Sequence, residues 1–362
     1  MAHAGTDVSR VLEALGRVHE PELLKDIVTL NMVKDVAVNG STVSLTFVLT
    51  TPACPFKTEI ENSIREELLK LEGVEKVQIR MEAVVPKSRD MQGLASIPGV
   101  KNIVAVASGK GGVGKTTVAV NIAIALQRMG AAVGLMDADV YGPNVPRMMG
   151  VHGSPLAAGE RIQPLEGFGI RLMSMGFLNP GDRPLIWRGP MLHSVIQQFL
   201  RNVDWGELDY LILDLPPGTG DVQLSLTQTV PLAGGVVVTT PSDVALEDAR
   251  KAVEMFRQVK VEVLGIVENM SYFVCPHCTT RVEIFSHGGG RKTAEDFGIP
   301  FLGEVALDPE VRAGGDYGSP VATRGPDSPE ARSFYEIARL VAARVSVVDM
   351  MASPDELITI RP

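Results

Sequence analysis

The sequence predicts an α/β protein: a doubly wound, mostly parallel sheet carrying a phosphate-binding loop, preceded by a small α-β-β-α-β domain. Three observations carry this reading. Short apolar runs bounded by turn residues ("NIVAVAS", "AAVGLMD", "YLILDLPPG", "GGVVVTTP", "VLGIVEN") recur between helical stretches from Asn102 onward. Unbroken apolar runs of that kind belong to parallel strands buried on both faces. Ahead of them, "VKDVAVNGSTVSLTFVLT" alternates apolar and polar residues around Asn39-Gly40, a hairpin signal. Between the first buried run and the next helix lies a glycine-rich loop.

Taken in order, "TDVSRVLEALGRV" has helical spacing and aligns Val8, Val11, Leu12 and Leu15 on one face. Val43, Leu45, Phe47 and Leu49 line the buried side of the second hairpin strand. "KTEIENSIREELLKL" is helical through Ile60, Ile64, Leu68 and Leu71, and "VEKVQIRME" adds a third strand. This places a small domain at residues 1–85. "AVVPKSRDMQGLASIPGVKN", with two prolines and mixed charge, reads as a linker over 86–100, and 101–362 form the larger domain. The final "MMASPDELITIRP" is open between a small packed appendage and a frayed end.

Composition narrows the setting. A chain of 362 residues is long enough for two domains. No apolar run approaches the ~20 residues of a membrane span, and the N-terminus has no secretory or transit pattern. A net charge of −9 argues against nucleic acid bound through its phosphates. Three cysteines, two of them spaced C-x-x-C, suit a reducing cytoplasm and a metal or redox role. The expectation is a cytoplasmic protein with no nucleic-acid or membrane partner.

"GKGGVGKTT" satisfies G-x-x-x-x-G-K-[ST] through Gly109, Gly114, Lys115 and Thr116, with a strand before it and a helix after it. Backbone N–H groups from Gly109 through Lys110, Gly111, Gly112, Val113, Gly114, Lys115, Thr116 and Thr117 would cradle phosphate oxygens at a helix N-terminus. Lys115 would reach the β- and γ-phosphates of ATP, and Thr116 would ligate Mg²⁺. "DYLILDLPPGTGD" ends a buried strand at Asp214, the carboxylate expected in the magnesium shell. Asp137 and Asp139 end another strand at the edge where ligands bind in open α/β sheets. Either could be a plain helix cap; Asp139 is the preferred water-positioning residue.

Lys110, directly after the first glycine, resembles the signature lysine of the deviant Walker A ATPases, which include MinD, ParA and the nitrogenase iron protein. That resemblance implies a nucleotide-dependent homodimer in which Lys110 reaches the partner's phosphates as a catalytic group beside Lys115 and Asp139. "MDADVYGPNVPRMMG", "MSMGF", "WRGPM", "DYLILDLPPGTGD", "TTPSDVAL" and "ENMSYFVCPHC" resemble, in order, the blocks of the Mrp/ApbC iron–sulfur cluster carrier ATPases over residues 101–345. "HEPELLKDIVTLNMVKDV" and "TTPACPF" resemble the small SufT/PaaD-like domain. The resemblance further implies an adenine contact from Asn269, and the residues suggest switching more than turnover, hence slow ATP hydrolysis.

Cys275 and Cys278 are half of a coordination shell. Four-iron clusters usually take four thiolates, and a two-fold dimer presents the same pair twice. A [4Fe–4S] cluster shared at a homodimer interface and passed to apo-proteins fits, with apo iron–sulfur proteins and scaffold proteins as partners. Zinc held with His277 or His287 also fits, as does a redox dithiol, although "TTRVEIFSHGGG" reads as extended where a dithiol motif would open a helix. The alternatives in function are a MinD/ParA-like positioning ATPase with structural zinc and an electron-donating reductase. Gly288-Gly289-Gly290 reads as a mobile loop. Cys54, at a strand-to-helix junction, is open between a thiol that exchanges clusters and a small core residue.

Overall fold

The computed structural model describes residues 6–21, 23–88, 96–139, 142–159, 161–178 and 189–352. The chain divides into two compact units: Met1–Pro86 with Ala342–Pro362, and Lys87–Val341. Trp187 and Arg188 of "WRGPM", Val140 and Tyr141 of the aspartate block, residues 89–95 of the linker stretch and the end of the C-terminal tail lie outside the described residues.

In the first unit, α1 (Val8–Leu15) is followed by β1 (Val33–Asn39), β2 (Thr42–Leu49), α2 (Lys57–Leu69) and β3 (Lys76–Ala83). β1 and β2 are antiparallel and β2 and β3 parallel. The tight turn runs through Gly40 at φ 61°, a left-handed conformation that glycine adopts without a Cβ penalty. Val43, Leu45, Phe47 and Leu49 face the core, where Ile60, Ile64 and Leu68 of α2 meet them. α1 is rotated from its expected face: Val11, Ala14 and Leu15 are buried, while Val8 and Leu12 are 41% and 36% exposed. Its terminal Asp7 accepts the Arg10 N–H and fixes the helix start. Met350, near the other end of the chain, also packs on this core.

The second unit is built on one sheet. Its elements are β4 (Val100–Ala107), α3 (Lys115–Arg128), β5 (Val133–Asp137), α4 (Val145–Met148), β6 (Leu165–Gly167), β7 (Ile170–Ser174), α5 (Gly189–Asn202), β8 (Leu208–Asp214), α6 (Asp221–Thr227), β9 (Gly234–Thr239), α7 (Asp243–Gln258) and β10 (Val263–Glu268). The hairpin strands β11 (Phe273–Val274) and β12 (Arg281–Val282) come next, then α8 (Gly289–Phe297), β13 (Phe301–Glu304) and α9 (Pro309–Asp316). A last helix, α10 (Pro329–Ala352), starts in this unit. The sheet order is β6-β7-β5-β8-β4-β9-β10-β13. Only the β6–β7 edge pair is antiparallel.

All six residues of β9 and all six of β10 are buried, as strands covered on both faces require. Every parallel strand delivers its carboxyl end to one edge, so the loops after β4, β5, β8 and β10 gather there. Among the described residues, no helix is long and apolar enough to cross a membrane.

Phe47 is fully buried between the small sheet and α2. Replacing it with alanine removes a large core side chain, and we expect the first unit to lose about 3–5 kcal/mol of stability, read from urea unfolding followed by far-UV circular dichroism.

Candidate nucleotide and thiol sites

The loop between β4 and α3 has the geometry of a phosphate cradle. Gly112 and Gly114 sit at φ 80° and 82°, which turns successive N–H groups toward one concave surface. A Cβ on Gly109 would lie 2.0 Å from the Asp248 carbonyl oxygen, so α7 admits only glycine there. The Ser108 hydroxyl donates to the Lys110 carbonyl (3.0 Å), and Gly218 N–H to the Ser108 carbonyl (3.0 Å). Across the loop, Asn269 Nδ2 donates to the Val113 carbonyl at 2.8 Å.

Lys115 leaves the first turn of α3 and is buried, its Nζ 2.5 Å from Asp214 Oδ1. The Thr116 hydroxyl donates to the other oxygen of Asp214 at 2.7 Å. One carboxylate therefore holds the lysine and threonine that the sequence assigns to phosphate and magnesium. Asp214 pairs in register with Asp137 on the neighbouring strand. Burial, and then the Asp214 charge, push Asp137 up to about 8. Burial also raises Asp214, against the opposing pull of Lys115. Asp137 accepts from the Asp139 and Val145 N–H groups (3.1 and 3.2 Å) and the Ser174 hydroxyl (3.0 Å). It braces the start of α4. Asp139 lies further out, accepting the Gly142 N–H at 3.2 Å.

A cavity of about 420 Å³ opens over these groups. Lys110, Lys115, Thr116, Asp139 and Asn269 all line it. The donor set fits a nucleotide with Mg²⁺: backbone N–H groups and two ammonium groups for phosphates, and a hydroxyl and carboxylates for a hard cation. Arg147, Met270, Asp308 and Arg312 line the same cavity and were not singled out in the sequence. They arrive from α4, the loop after β10 and α9, and no fixed spacing marks them.

Cys275 and Cys278 occupy the tip of the β11–β12 hairpin. Phe273 pairs with Val282 and Val274 with Arg281. Cys275 N–H donates to the Thr280 carbonyl (3.0 Å) and Thr279 N–H to the Cys275 carbonyl (2.9 Å). Both thiols are free, Cys275 half-buried and Cys278 exposed. Cys278 Sγ lies 3.2 Å from the Thr280 hydroxyl; hydrogen bonding by that hydroxyl, then by the Thr280 backbone and the Cys275 thiol, holds Cys278 below the ordinary thiol range. The motif is followed by a strand, unlike a thioredoxin-type dithiol at a helix start. Val274 and Val282 on the hairpin strands, and Ile284 and Phe285 just after β12, are 45, 46, 50 and 44% exposed.

His277 is exposed, and His287 Nε2 lies 2.8 Å from Glu304 rather than serving the thiols. The glycines at 288–290, expected as a loop, form the start of α8 because the Gly288 and Gly290 N–H groups donate to the buried Glu268 carboxylate. In the other unit Cys54 is half-buried between β2 and α2, packed on the small core.

Comparison with known proteins finds two family matches along the chain. Residues 99–342 match the family described as NUBPL iron-transfer P-loop NTPase, and residues 9–80 match that of iron–sulfur cluster assembly protein. The iron–sulfur cluster carrier protein of Synechocystis sp. is 50% identical, covering 94% of this chain and 98% of its own. The iron–sulfur cluster transfer protein NUBPL of Mus musculus is 48% identical, covering 75% and 86%. Among solved structures, a nucleotide-binding protein from Archaeoglobus fulgidus in complex with ADP is 38% identical with a TM-score of 0.57, covering 63% of this chain and 90% of that one. MinD from Pyrococcus horikoshii with Mg-ADP is 22% identical at a TM-score of 0.51, covering 66% and 94%, a likeness of fold alone.

The glycines provide a test. Gly109→Ala should weaken ADP binding by at least tenfold (about 1.4 kcal/mol) in isothermal titration. Gly111→Ala, whose Cβ would meet only Pro217 at 4.0 Å, should bind nearly as the parent does.

Proposed function

We propose, for a chain that belongs to the NUBPL iron-transfer P-loop NTPase family, that it is an iron–sulfur cluster carrier: it binds and slowly hydrolyses ATP, holds a [4Fe–4S] cluster between two copies of itself, and passes that cluster to apo-proteins. The observation that supports this reading is the pair of free thiols, Cys275 half-buried and Cys278 exposed, at a hairpin tip whose strands carry the exposed Val274 and Val282. These exposed apolar side chains offer surface that a second copy would cover. A second copy of the hairpin would supply two more thiolates, completing the four that such a cluster takes.

The nucleotide chemistry follows from the residues around the cavity. The loop N–H groups and Lys115 neutralise phosphate oxygens, and Mg²⁺, held through Thr116 and Asp214, supplies further charge neutralisation when bound. Lys115 and Thr116 both lie on Asp214, so phosphate and cation compete with an existing internal ion pair. Asp139, on the cavity wall, positions the attacking water. Lys110, on the same wall, serves the phosphates of the partner copy. Asn269 is placed for the adenine and clamps the phosphate loop through Val113. Transfer is a ligand exchange: acceptor thiolates replace those of Cys275 and Cys278 on the cluster, with no net electron gain or loss. Recipient apo-proteins and cluster scaffolds are the partners, in a cytoplasmic, reducing setting that keeps the thiols free.

Two experiments test this. Reconstituted without oxygen from iron and sulfide, the parent should show four-iron absorbance and activate an apo-aconitase. Cys275→Ala/Cys278→Ala should lose both while still binding ATP; a double variant that retains both would sink the reading. Lys110→Ala should bind ATP but fail to shift from monomer to dimer with a non-hydrolysable analogue, measured by light scattering. An unchanged shift would remove Lys110 from the interface.

A further inference from the structure

Where β10 ends and the hairpin returns to the sheet, three ligand-type side chains converge away from the thiols. Glu268, Glu304 and His287 bring one ligand atom each within 4.8 Å of one another. Glu268 is fully buried and is oriented by its surroundings. Its Oε1 accepts from the Ser271 hydroxyl at 2.6 Å and the Gly288 N–H at 3.0 Å, and its Oε2 from the Gly290 N–H at 2.5 Å. Hydrogen bonds of this kind fix a carboxylate without exhausting its lone pairs, as outer-shell donors do around metal ligands.

His287 Nε2 faces two neighbours with opposite demands. Glu304 Oε2, at 2.8 Å, is an acceptor and calls for a proton on Nε2. Arg281 Nη2, at 2.5 Å, can only donate and calls for a lone pair on the same atom. No tautomer meets both. A cation in the place of the guanidinium does, because the ring nitrogen and both carboxylates then all act as electron-pair donors toward one centre. From the same position the Arg281 guanidinium also pairs with Glu304 Oε1 at 3.4 Å and stacks over the Tyr272 ring, 3.8 Å from the centroid, so it stands as the cation between the imidazole and the Glu304 carboxylate.

We propose that Glu268, His287 and Glu304 form a divalent transition-metal site, separate from the thiol pair, in which Arg281 is the resident cation that the metal displaces. One imidazole and two carboxylates suit ferrous or manganous ions better than a soft ion such as Cu(I). Arg281 pairs across the hairpin with Val274, the residue before Cys275, so its displacement alters the hairpin at the strand that leads into the thiols. This inference does not rest on the cluster reading, since none of its ligands is a cysteine.

The test uses the full-length Cys275→Ala/Cys278→Ala chain, free of nucleotide, with Mn²⁺ as the probe. Electron paramagnetic resonance should show one bound Mn²⁺ per chain, with electron spin-echo modulation from a single imidazole nitrogen. On that background His287→Ala should abolish the nitrogen modulation. Both His287→Ala and Glu304→Gln should weaken binding by at least about tenfold, with ATP affinity unchanged. These two side chains are only partly buried, so the variants keep the fold, checked by their melting temperatures. The proposal is overturned by no binding at millimolar Mn²⁺, by nitrogen modulation that survives His287→Ala, or by Mn²⁺ affinity in either variant equal to that of the Cys275→Ala/Cys278→Ala parent.

Discussion

Lys115 carries its charge into a place where it is only 6% exposed, and a buried ammonium is tolerated only with a hydrogen-bonded counter-charge. Asp214 supplies it, from the end of a strand that lies between β4 and β5. Removing one partner of such a buried pair costs about 3–5 kcal/mol, so the loop and the strand end hold each other in place. The same carboxylate also receives Thr116, which fixes the first turn of α3. Because Asp214 is in register with Asp137, two acids share a dry edge, and burial raises both, Asp214 against the pull of the Lys115 bonded to it. Asp137 then organises the loop that carries Asp139. A single ion pair thus sets the positions of the phosphate loop and of the segment that faces the cavity beside it.

β10 does comparable work for the other half of the unit. At its end, Asn269 clamps the Val113 carbonyl of the phosphate loop, while Glu268, the residue before it, caps α8 and receives Ser271. Consecutive residues near a strand end point to opposite sides, so one short segment serves both. The chain then runs through Ser271 and Tyr272 straight into the cysteine hairpin. The nucleotide cavity and the thiols are accordingly joined by a few residues of backbone held at both faces, with few loose torsions between them.

What could be read from the sequence was set by backbone demands. Gly109, Gly112 and Gly114 are legible because no other residue tolerates their geometry, and the strand and helix around them are equally local signals. The hairpin at Asn39-Gly40 and the buried set from Val43 to Leu49 followed from a strict period of two. α1 differs by face: Val8 and Leu12 have the right spacing, yet the side with Val11, Ala14 and Leu15 is the one buried. The glycines at 288–290 looked like a loop because the group that makes them a helix start, Glu268, is remote in sequence. The convergence of residues 268, 287 and 304 follows from sheet order, with β10 and β13 adjacent, and no spacing rule contains that information.

The placement of the thiols bears on what kind of site they form. A metal centre meant to stay is usually enclosed by its own chain, with its ligands held by outer hydrogen bonds and screened from water. Cys275 and Cys278 instead stand on a two-stranded hairpin whose Val274 and Val282 are about half exposed. Covering those side chains and completing the coordination shell are then the same event on the proposed reading: a second hairpin buries them and brings the missing thiolates. Undoing that contact exposes both at once. The physical cost of leaving apolar surface in water at the tip is therefore tied to the cargo, and a nucleotide cavity linked to the hairpin through the end of β10 is well placed to tip that balance.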